Sequence, residues 1–530
     1  MNANTLTIHW HVENMPVYSV AFQPQTGSNL IPNRLVTGGG DNNIRIWKID
    51  HKHIPTNQID QQPQQLSSSQ TKVEYLSTLK KHTQAVNVVR FNHKGHLLAT
   101  AGDDGTLMIW RLSDKIIKSF EDQGEDEDED DVESWEVVLQ LRSSMSEIND
   151  ICWSPNDDYI IAGSMDNTVR IYHLDFNGAN SKITGKLFIS FNNHQHYVQG
   201  VSWDPSNQFI ATQSSDRSII IYKIIHDTKD QGKIKSIKYL TKLTKFKNNF
   251  MYYPETLQSF FRRLTFSPEG SLLITPCGID ESSSTNSVYV YSRKSLTTSP
   301  IFKITGLNKP ATVISFNPNL YQLPESKLET SSSQHKLNLP YQMIFAVATQ
   351  ESIIIYNTSD FQPLGYVSNL HYSYITDIAW SPEGDKIIVS STDGFCSVIS
   401  FDEGIFGSIY EAPIEKVEEK VNTEVVDPIS EPVKEVVLDV EEEKKVEEVS
   451  IEPVNVVVPI EVDEVKRDED NDIIMIDDDA GEQQSNKENI NQVPEPIVSK
   501  TPTKTIDQFF TKVSDTPSKK DKSKKEWYQP

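Results

Sequence analysis

Short apolar runs alternate with turn residues through the first 400 positions of this 530-residue chain. The stretch "HTQAVNVVRFNHKGHLLATAGDDGTLMIWRL" (82–112) shows the pattern. Three runs with apolar residues at every second position are separated by Gly, Asn and Asp. Period-two alternation bounded by such residues predicts short antiparallel strands and an all-β fold.

The same frame recurs along the chain. The seven copies cover residues 11–49, 82–112, 144–174, 194–224, 260–293, 311–358 and 371–401. A repeat of about 40 residues with four short strands is typical of a WD40 β-propeller, which the sequence resembles over roughly residues 5–402. We therefore predict a seven-bladed propeller. The stretch "TLTIHW" (5–10) is expected to add the outer strand of the last blade and close the ring.

The WD40 resemblance implies a hydrogen-bonded network of His, Ser or Thr, Asp and Trp in each blade. The second copy has all four members, His82, Thr100, Asp104 and Trp110. The fourth copy nearly does, with His194, Thr212, Asp216 and Tyr222. These side chains are expected to stabilise blades rather than to catalyse, because a fully satisfied buried network specifies one packing.

Other copies hold parts of this network. The first offers Thr37, Asp41 and Trp47, with His11 as the expected partner. The third keeps Asp166 but has Ser144 and Ala162 in place of His and Thr. The seventh keeps His371 and Asp393 but has Val389 and Ile399.

Composition divides the chain near residue 405. Residues 1–405 are expected to form the propeller, with low-complexity insertions near 51–72 and 114–134. Residues 406–500 are predicted to be a disordered acidic linker, since few aromatic residues and many charges disfavour a packed core. Residues 501–530 are expected to hold a short docking motif and a basic C-terminus.

Charge is as uneven as composition. The net charge is −25, and segment 411–480 has 25 acidic against 7 basic residues, a net of −18. The stretch "EDQGEDEDEDDVE" (121–133) contributes −10, and residues 481–530 contribute +2. The remainder is therefore close to neutral, which argues against general or sequence-specific DNA binding by the propeller.

Several classes of protein are not indicated. The 3 cysteines form no C-x-x-C pair, which argues against a disulfide framework or a structural zinc site. No signal peptide and no membrane span are predicted. The chain has no G-x-S-x-G, no phosphate-binding loop of the Walker type and no H-E-x-x-H. We therefore expect a non-enzyme without metal or cofactor.

Stretches beyond the generic repeat narrow the family. They include "HYVQGVSWDP", "SFFRRLTFSPEGSLLITP", "LPYQMIFAVATQESIIIY" and "LGYVSNLHYSYITDIAWSPEGDKIIVSS". In these stretches the chain resembles the middle, WD-repeat subunit of chromatin assembly factor 1, in order and through every repeat. A close relative is the WD-repeat half of the HIR histone chaperone, but that family carries a long further domain.

This resemblance implies a non-catalytic nuclear subunit. The family forms a complex with a large acidic subunit and a small second propeller protein. The complex deposits newly made, tetramer-forming histones onto replicating or repaired DNA. The middle subunit docks on the large one and contacts the anti-silencing histone chaperone. Two alternatives stay open: a HIR-type chaperone that acts outside replication, and a propeller that receives substrates for a ubiquitin ligase.

Two candidate docking sites lie within the propeller region. Arg262 and Arg263 follow two phenylalanines at the start of the fifth copy, and on a strand one would face inward and the other outward. One interpretation is a salt bridge at the rim. The other is bidentate pairing with an acidic segment of the large subunit. The acidic loop 121–133 is either simply solvated or guides basic histone tails.

The tail stretch "KTIDQFFTK" (504–512) raises a docking hypothesis of its own. Ile506, Phe509 and Phe510 would share one face of a helical turn. This resembles the motif that binds the replication sliding clamp, although Thr503 replaces its leading Gln. The family's segment for the anti-silencing chaperone is the competing interpretation, with only Lys504 where that segment has paired basic residues.

Three weaker motifs complete the tail. The apolar run Ile473, Ile474, Met475 and Ile476 precedes three aspartates and resembles a SUMO-interacting motif. Residues 487–489 read Lys-Glu-Asn, as in a degradation signal. The basic run 519–525 suggests nuclear import.

Overall fold

The computed structural model describes residues 1–411 apart from short gaps at 27–30, 54–68, 115–130, 143, 178–181, 229–232, 282, 324–336 and 338. The predicted linker beyond residue 411, the docking motif at 504–512 and the SUMO-interacting run at 473–476 lie outside the described residues. Predictions for those segments stay predictions.

The predicted seven-bladed β-propeller is confirmed. Seven antiparallel sheets of four strands each follow one another around the ring. The first blade holds β2 (Val17–Phe22), β3 (Arg34–Gly39), β4 (Asn43–His53) and β5 (Ser69–Lys80). The second holds β6 (Val86–Phe91), β7 (Leu97–Gly102), β8 (Leu107–Leu112) and β9 (Trp135–Leu141).

The third blade holds β10 (Ile148–Trp153), β11 (Tyr159–Ser164), β12 (Val169–Asn177) and β13 (Lys182–Phe191). The fourth holds β14 (Val198–Trp203), β15 (Phe209–Ser214), β16 (Ser218–His226) and β17 (Ile234–Leu243). A small hairpin follows, with β18 (Lys245–Phe246) and β19 (Asn249–Phe250).

The fifth blade holds β20 (Thr265–Phe266), β21 (Leu272–Asp280), β22 (Thr285–Ser292) and β23 (Phe302–Leu307). The sixth holds β24 (Ala311–Gln322), β25 (Tyr341–Thr349), β26 (Ser352–Asn357) and β27 (Pro363–Ser368). The seventh holds β28 (Ile375–Trp380), β29 (Lys386–Ser391), β30 (Cys396–Ser400) and β1 (Asn2–Leu6). Short 3₁₀ turns cover Val12–Asn14 and Arg293–Ser295.

The hydrophobic core lies between blades. Each of seven apolar clusters joins one blade to the next, including the cluster between the seventh and the first. A single four-stranded sheet therefore buries its apolar faces only with both neighbours in place. This arrangement explains why the repeats stabilise one another as a ring rather than one by one.

Ring closure uses an earlier segment than predicted. Strand β1 pairs with β30, with Asn2 opposite Ser400 and Leu6 opposite Cys396. The predicted strand, 5–10, is therefore three or four residues too late. The reason is Trp10, which is fully buried and packs edge-to-face on Trp47 at a ring-centroid distance of 5.0 Å. Because of this contact, the polypeptide bends toward the interface between the last and first blades.

The propeller also extends beyond the predicted boundary at residue 405. Phe406 is buried and packs against Phe401 and Trp380. The Tyr410 backbone N–H donates to the Leu320 carbonyl at 2.8 Å. Residues 406–411 thus pack on the sixth and seventh blades, and the prediction that the linker begins at 406 is wrong for these six positions.

Both predicted insertions are shorter than expected. Strands β4 and β5 stay paired out to His53 and Ser69, so the ends of the 51–72 insertion belong to the blade. In the second insertion, Asp131 accepts a hydrogen bond from the Tyr75 hydroxyl at 2.7 Å. Glu133 accepts one from Arg34 at 2.6 Å. The end of the acidic loop is therefore held on the first blade, whereas residues 121–130 lie outside the described residues and their predicted role stays a prediction.

The contacts of Phe406 predict a stability effect. Replacing Phe406 with Ala should lower the free energy of unfolding by about 3 kcal/mol, because the change leaves a cavity among buried rings. Urea unfolding of the full chain measures the effect. Ile405→Ala is the matched control, since Ile405 is half-exposed and its loss should cost less than about 0.5 kcal/mol. Equal effects from the two variants would contradict the extended boundary.

Candidate functional site: the blade networks and the central channel

The predicted blade network is present as a chain of hydrogen bonds in the second copy. His82 Nδ1 lies 2.8 Å from the Asp104 carboxylate, and its Nε2 lies 2.8 Å from the Thr100 hydroxyl. The Trp110 indole N–H donates to the same hydroxyl at 2.9 Å. The imidazole thus links the turn after β7 to the strand beside it. Both of its ring nitrogens are occupied, which leaves none for a substrate.

The first copy forms the same series of hydrogen bonds with the expected histidine. His11 Nδ1 lies 2.7 Å from Asp41, and Nε2 lies 3.0 Å from Thr37, whose hydroxyl also accepts from Trp47. Arg45 adds a guanidinium contact to Asp41 at 2.8 Å. The segment before β2 is therefore held in its blade despite the altered spacing after His11.

The fourth copy differs at its last member. His194 contacts Thr212 at 2.8 Å and Asp216 at 3.2 Å, as the sequence led us to expect. The Tyr222 hydroxyl, however, donates to the Asn193 side chain at 3.4 Å. The same hydroxyl also interacts with the Thr212 side chain, which a tryptophan would contact at this position. Lys242 adds an ion pair to Asp216 at 2.9 Å.

The incomplete copies use substitutes. In the seventh, the Ser397 hydroxyl lies 2.9 Å from His371 Nε2, where Val389 offers no polar atom. In the third, Ser144 donates to Asp166 at 2.9 Å, and Arg170 completes the contact. Ser397 lies on β30, whereas the network's Ser or Thr usually lies on the second strand of the blade, here β29. The repeat pattern therefore does not predict its role.

Burial changes the titration of these histidines. Removal from water lowers the pKa of His11 and of His194 below the ordinary value of 6.5, although Asp41 and Asp216 act in the opposite direction. Burial raises the pKa of Asp216, but donors from His194 and Ser218 outweigh it and hold that pKa below its usual range. The networks of the first and fourth copies therefore work with neutral imidazoles and charged carboxylates.

The structure places Arg262 and Arg263 inside the molecule. Their relative exposures are 0% and 3%, so neither lies at a rim. Arg262 donates to the backbone carbonyl of Pro254 at 2.7 Å and to that of Tyr253. The expectation that one Arg would face outward is wrong, and neither guanidinium is exposed to dock a partner. The backbone here forms only a short inner strand, so strand alternation does not apply.

Arg263 instead crosses the central channel. Its guanidinium lies 3.0 Å from the Asp377 carboxylate and 3.6 Å from Asp150. It also donates to the carbonyls of Asn87 at 2.8 Å and Thr376 at 3.0 Å. One residue of the fifth blade thereby contacts the second, third and seventh blades. The Phe261 ring covers the guanidinium at 4.0 Å.

A second arginine balances the cluster. Arg90 lies 2.9 Å from Asp377 and 4.0 Å from Asp150. Ser19 donates to Asp377 at 2.8 Å. Burial raises the pKa of Asp150, whereas for Asp377 the two guanidiniums outweigh burial and hold its pKa below the usual range. Two arginines and two aspartates thus sit at the channel wall with no net charge.

Sequence reasoning missed this cluster. Ser19, Asp150, Arg263 and Asp377 all occupy the third position of an inner-strand segment, where other copies have Val or Gly. The register shifts between the first and third positions in six of the inner strands. Such bulges re-aim a side chain. Charged residues at one repeat position, compared across the copies, are the signal that would have revealed the cluster.

A cavity of about 530 Å³ adjoins the cluster. Every blade lines it, through Val20, Phe91, Ile151, Val201, Leu264, Val313 and Ile378 among others. The thiol of Cys152, which lines this cavity, is unsuited to act as a nucleophile, because burial raises its pKa to about 11.

Within the described ranges, no group of three or more His, Cys, Asp or Glu side chains is arranged to hold a metal ion. No helix in that part of the chain is long and apolar enough to cross a membrane.

Comparison with known proteins agrees with this geometry. The model of the CAF1B/HIR1 β-propeller domain matches residues 1–406. The chain is 36% identical to the CAF1B subunit of chromatin assembly factor 1 from Saccharomyces cerevisiae over 452 residues, covering 79% of this chain and 90% of that protein. The chain belongs to the CAF1B family of chromatin assembly factor 1 subunits. The Schizosaccharomyces pombe member is 38% identical, with 77% and 89% covered.

The HIR relationship is more distant. Protein HIR1 of Candida albicans is 26% identical over 395 residues, and the match covers 69% of this chain but only 39% of that protein. The CAF1B relatives in the two yeasts are thus matched along most of their length, and HIR1 over less than half of its own. This difference favours the CAF1B family over a HIR-type protein, as the sequence resemblance implied.

The central cluster predicts a large effect of one substitution. Arg263→Met should lower the free energy of unfolding by about 3–5 kcal/mol, because it leaves buried carboxylates without their guanidinium. Urea unfolding of the full chain checks this. Arg142→Met is the control, since Arg142 is exposed, and it should change stability by less than about 0.5 kcal/mol. A loss below about 1 kcal/mol for Arg263→Met would show that the cluster does not hold the ring.

The buried histidines predict a pH dependence. A lowered pKa in the folded state means that the unfolded chain binds protons first as the pH falls below 6.5. Stability should therefore decrease between pH 7.5 and 5.5, by up to about 1.4 kcal/mol per pH unit for each such histidine. His194→Asn should reduce this slope, and exposed His96→Asn should not. An unchanged slope in His194→Asn would contradict burial of a neutral imidazole.

Proposed function

We propose that this chain is a non-catalytic subunit of a histone chaperone complex that deposits newly made histones onto replicating or repaired DNA. The similarity to the CAF1B subunit of chromatin assembly factor 1, which spans 90% of the Saccharomyces cerevisiae relative, carries this proposal. Its partners would be the large and small subunits of the factor, and through them the tetramer-forming histones. This function requires a nuclear location.

The proposed mechanism is scaffolding. A ring held by interblade cores and buried networks keeps its loops in fixed positions, and fixed loops make good docking surfaces. The occupied histidines and the protonated thiol of Cys152 give no support to catalysis. The propeller would therefore bind the large subunit while the tail recruits further proteins.

One face of the propeller suits the large subunit. Tyr372 is fully exposed, and Val12 and Met15 are about half-exposed. These residues surround the turn between β29 and β30, because Tyr372 N–H donates to Asp393 and the backbone of Asn14 lies against Gly394. Clustered exposed apolar side chains mark interaction sites. We assign large-subunit docking to this patch in place of Arg262 and Arg263.

Tail recruitment stays a proposal with two candidate partners. The cluster Ile506, Phe509 and Phe510, with Lys504, fits a hydrophobic pocket on an acidic surface. The sliding clamp would tether the complex to the replication fork. The anti-silencing chaperone would hand histones over. The run 473–476 is proposed in the same way to bind SUMO.

Two variants of the full-length chain should lose different partners. Purified from replicating cells, the wild type should carry the large and small subunits, histones and one tail partner. Tyr372→Ala should lose the large subunit and keep the tail partner. Phe509→Ala/Phe510→Ala should lose the clamp or the anti-silencing chaperone and keep the large subunit. Quantitative mass spectrometry measures each partner.

Matched variants control for general effects. Tyr366→Ala removes a half-exposed tyrosine from β27, and Ile497→Ala/Val498→Ala removes two apolar tail residues outside the motif. Both should behave as wild type. Recovery of a HIR complex or of a cullin adaptor with the wild type would instead support one of the alternatives. If Tyr372→Ala keeps the same partners as the wild type, the large subunit docks on another face of the propeller.

A further inference from the structure

The central channel is closed at one end. Arg263 lies across it and donates to the backbone carbonyls of Tyr18 at 3.2 Å, Asn87 at 2.8 Å and Thr376 at 3.0 Å. The Phe261 ring covers the guanidinium at 4.0 Å and lies edge-to-face on the Tyr18 ring. The cavity of about 530 Å³ therefore extends from this layer only toward the C-terminal ends of the inner strands.

The other end of the cavity opens to solvent. Its walls include Gln25 and His93, which follow β2 and β6 and are exposed, together with Pro318 and Pro382. Tyr372 precedes β28, whereas Pro382 follows that strand. The mouth and the patch assigned to the large subunit therefore lie at opposite ends of one strand, so the two can hold different partners.

Small side chains surround a single arginine inside this cavity. Arg90 occupies the fifth position of its inner strand, where the other six copies have a small residue. All of them line the cavity, namely Ala21, Cys152, Ser202, Thr265, Ser315 and Ala379. The Arg90 side chain is 26% exposed, against 4% for Asp150 and 1% for Asp377. Arg90 is therefore the charged group that the cavity presents to a ligand.

One edge of the Arg90 guanidinium makes no hydrogen bond within the described part of the chain. Its Nη1 donates to Asp377, to Ser19 and to the Val89 carbonyl, each at 2.9 Å. Its Nη2 lies 4.0 Å from the Asp150 carboxylate, beyond hydrogen-bond distance. Nε and Nη2 together form a planar fork of the kind that pairs with a carboxylate through two parallel hydrogen bonds.

We propose that this channel binds a carboxylate of an acidic partner peptide, with Nε and Nη2 of Arg90 as the donors. The cavity is larger than one carboxylate requires, and its size is typical of a ligand site. Ile151, Leu264 and Ile378 in its walls suit aliphatic side chains beside the acid. A short segment that mixes Asp or Glu with apolar residues has this chemistry.

Charge favours a carboxylate over a phosphate. The Asp377 and Asp150 carboxylates lie 2.9 and 4.0 Å from the Arg90 guanidinium and would repel a second anion. Because the cluster of two arginines and two aspartates has no net charge, it supplies no excess positive charge for a dianion. A carboxylate brings one negative charge and needs only the two donors of the fork.

Isothermal titration calorimetry of the full-length chain tests the proposal with three peptides. The first is Val-Glu-Leu with both termini blocked, and the second is blocked Val-Gln-Leu. The third is Val-Gln-Leu with a free C-terminus. We expect the Glu peptide to bind at least about tenfold more tightly than its Gln isostere, because the isostere lacks the charged acceptor. Tighter binding of the third peptide than of the first would identify a chain end as the preferred carboxylate.

Two variants locate the site. Arg90→Lys keeps a positive charge beside Asp377 but removes the fork, and it should weaken binding of the Glu peptide at least about tenfold. Ser315→Leu adds volume to the cavity wall outside the charged cluster and should weaken binding as strongly. The matched controls Arg142→Lys and Ser408→Leu change exposed residues and should keep the wild-type affinity. Urea unfolding confirms that each variant is folded.

Three results would overturn the proposal. One is equal affinity of the wild type for the three peptides, or no binding of any of them at millimolar concentration. Another is wild-type affinity for the Glu peptide in both Arg90→Lys and Ser315→Leu. The third is displacement of the Glu peptide by inorganic phosphate at a lower concentration than by acetate, which would assign the fork to a phosphate-bearing ligand.

Discussion

The ring depends on a buried contact that neighbouring blades alone cannot make. Each interblade core joins two adjacent sheets, but Arg263 reaches across the channel to Asp377 and to the Asn87 carbonyl. Its own backbone bonds to Thr312 of the sixth blade. A buried guanidinium is stable only when every charge around it is matched. The fifth blade, whose inner strand β20 has only two residues, is thereby fixed to blades on both sides of the channel.

Hydrogen-bonded side-chain networks hold the surface turns of the blades in the same manner. The chain from His82 through Thr100 to Trp110 ties a turn to the strands beneath it. Such networks hold the surface loops in single positions without leaving a free catalytic group. A rigid surface with fixed exposed side chains is suited to scaffolding, and the exposed patch of Tyr372, Val12 and Met15 is held by this frame.

Sequence patterns predict the structure correctly where they are local and recur in several copies of the repeat. Strand alternation and the recurrent His, Thr and Asp predict the seven blades, and the propeller stretches indicate the family. The prediction for Arg262 and Arg263 is wrong, because alternation cannot tell a channel from a rim once a strand shortens to two residues. Composition assigns Phe406 and Glu133 to flexible segments, although contacts distant in sequence hold them. Those contacts are properties of the closed ring.

Deposition coupled to replication is the part of the proposed function that would distinguish this chain from a HIR-type chaperone. The most direct test adds the complex purified through the full-length chain, with histones, to a replicating plasmid and to a non-replicating one of the same sequence. Supercoiling and nuclease digestion then report nucleosomes on each. We expect assembly mainly on the replicated DNA. Equal assembly on both plasmids would contradict replication coupling and favour a HIR-type chaperone.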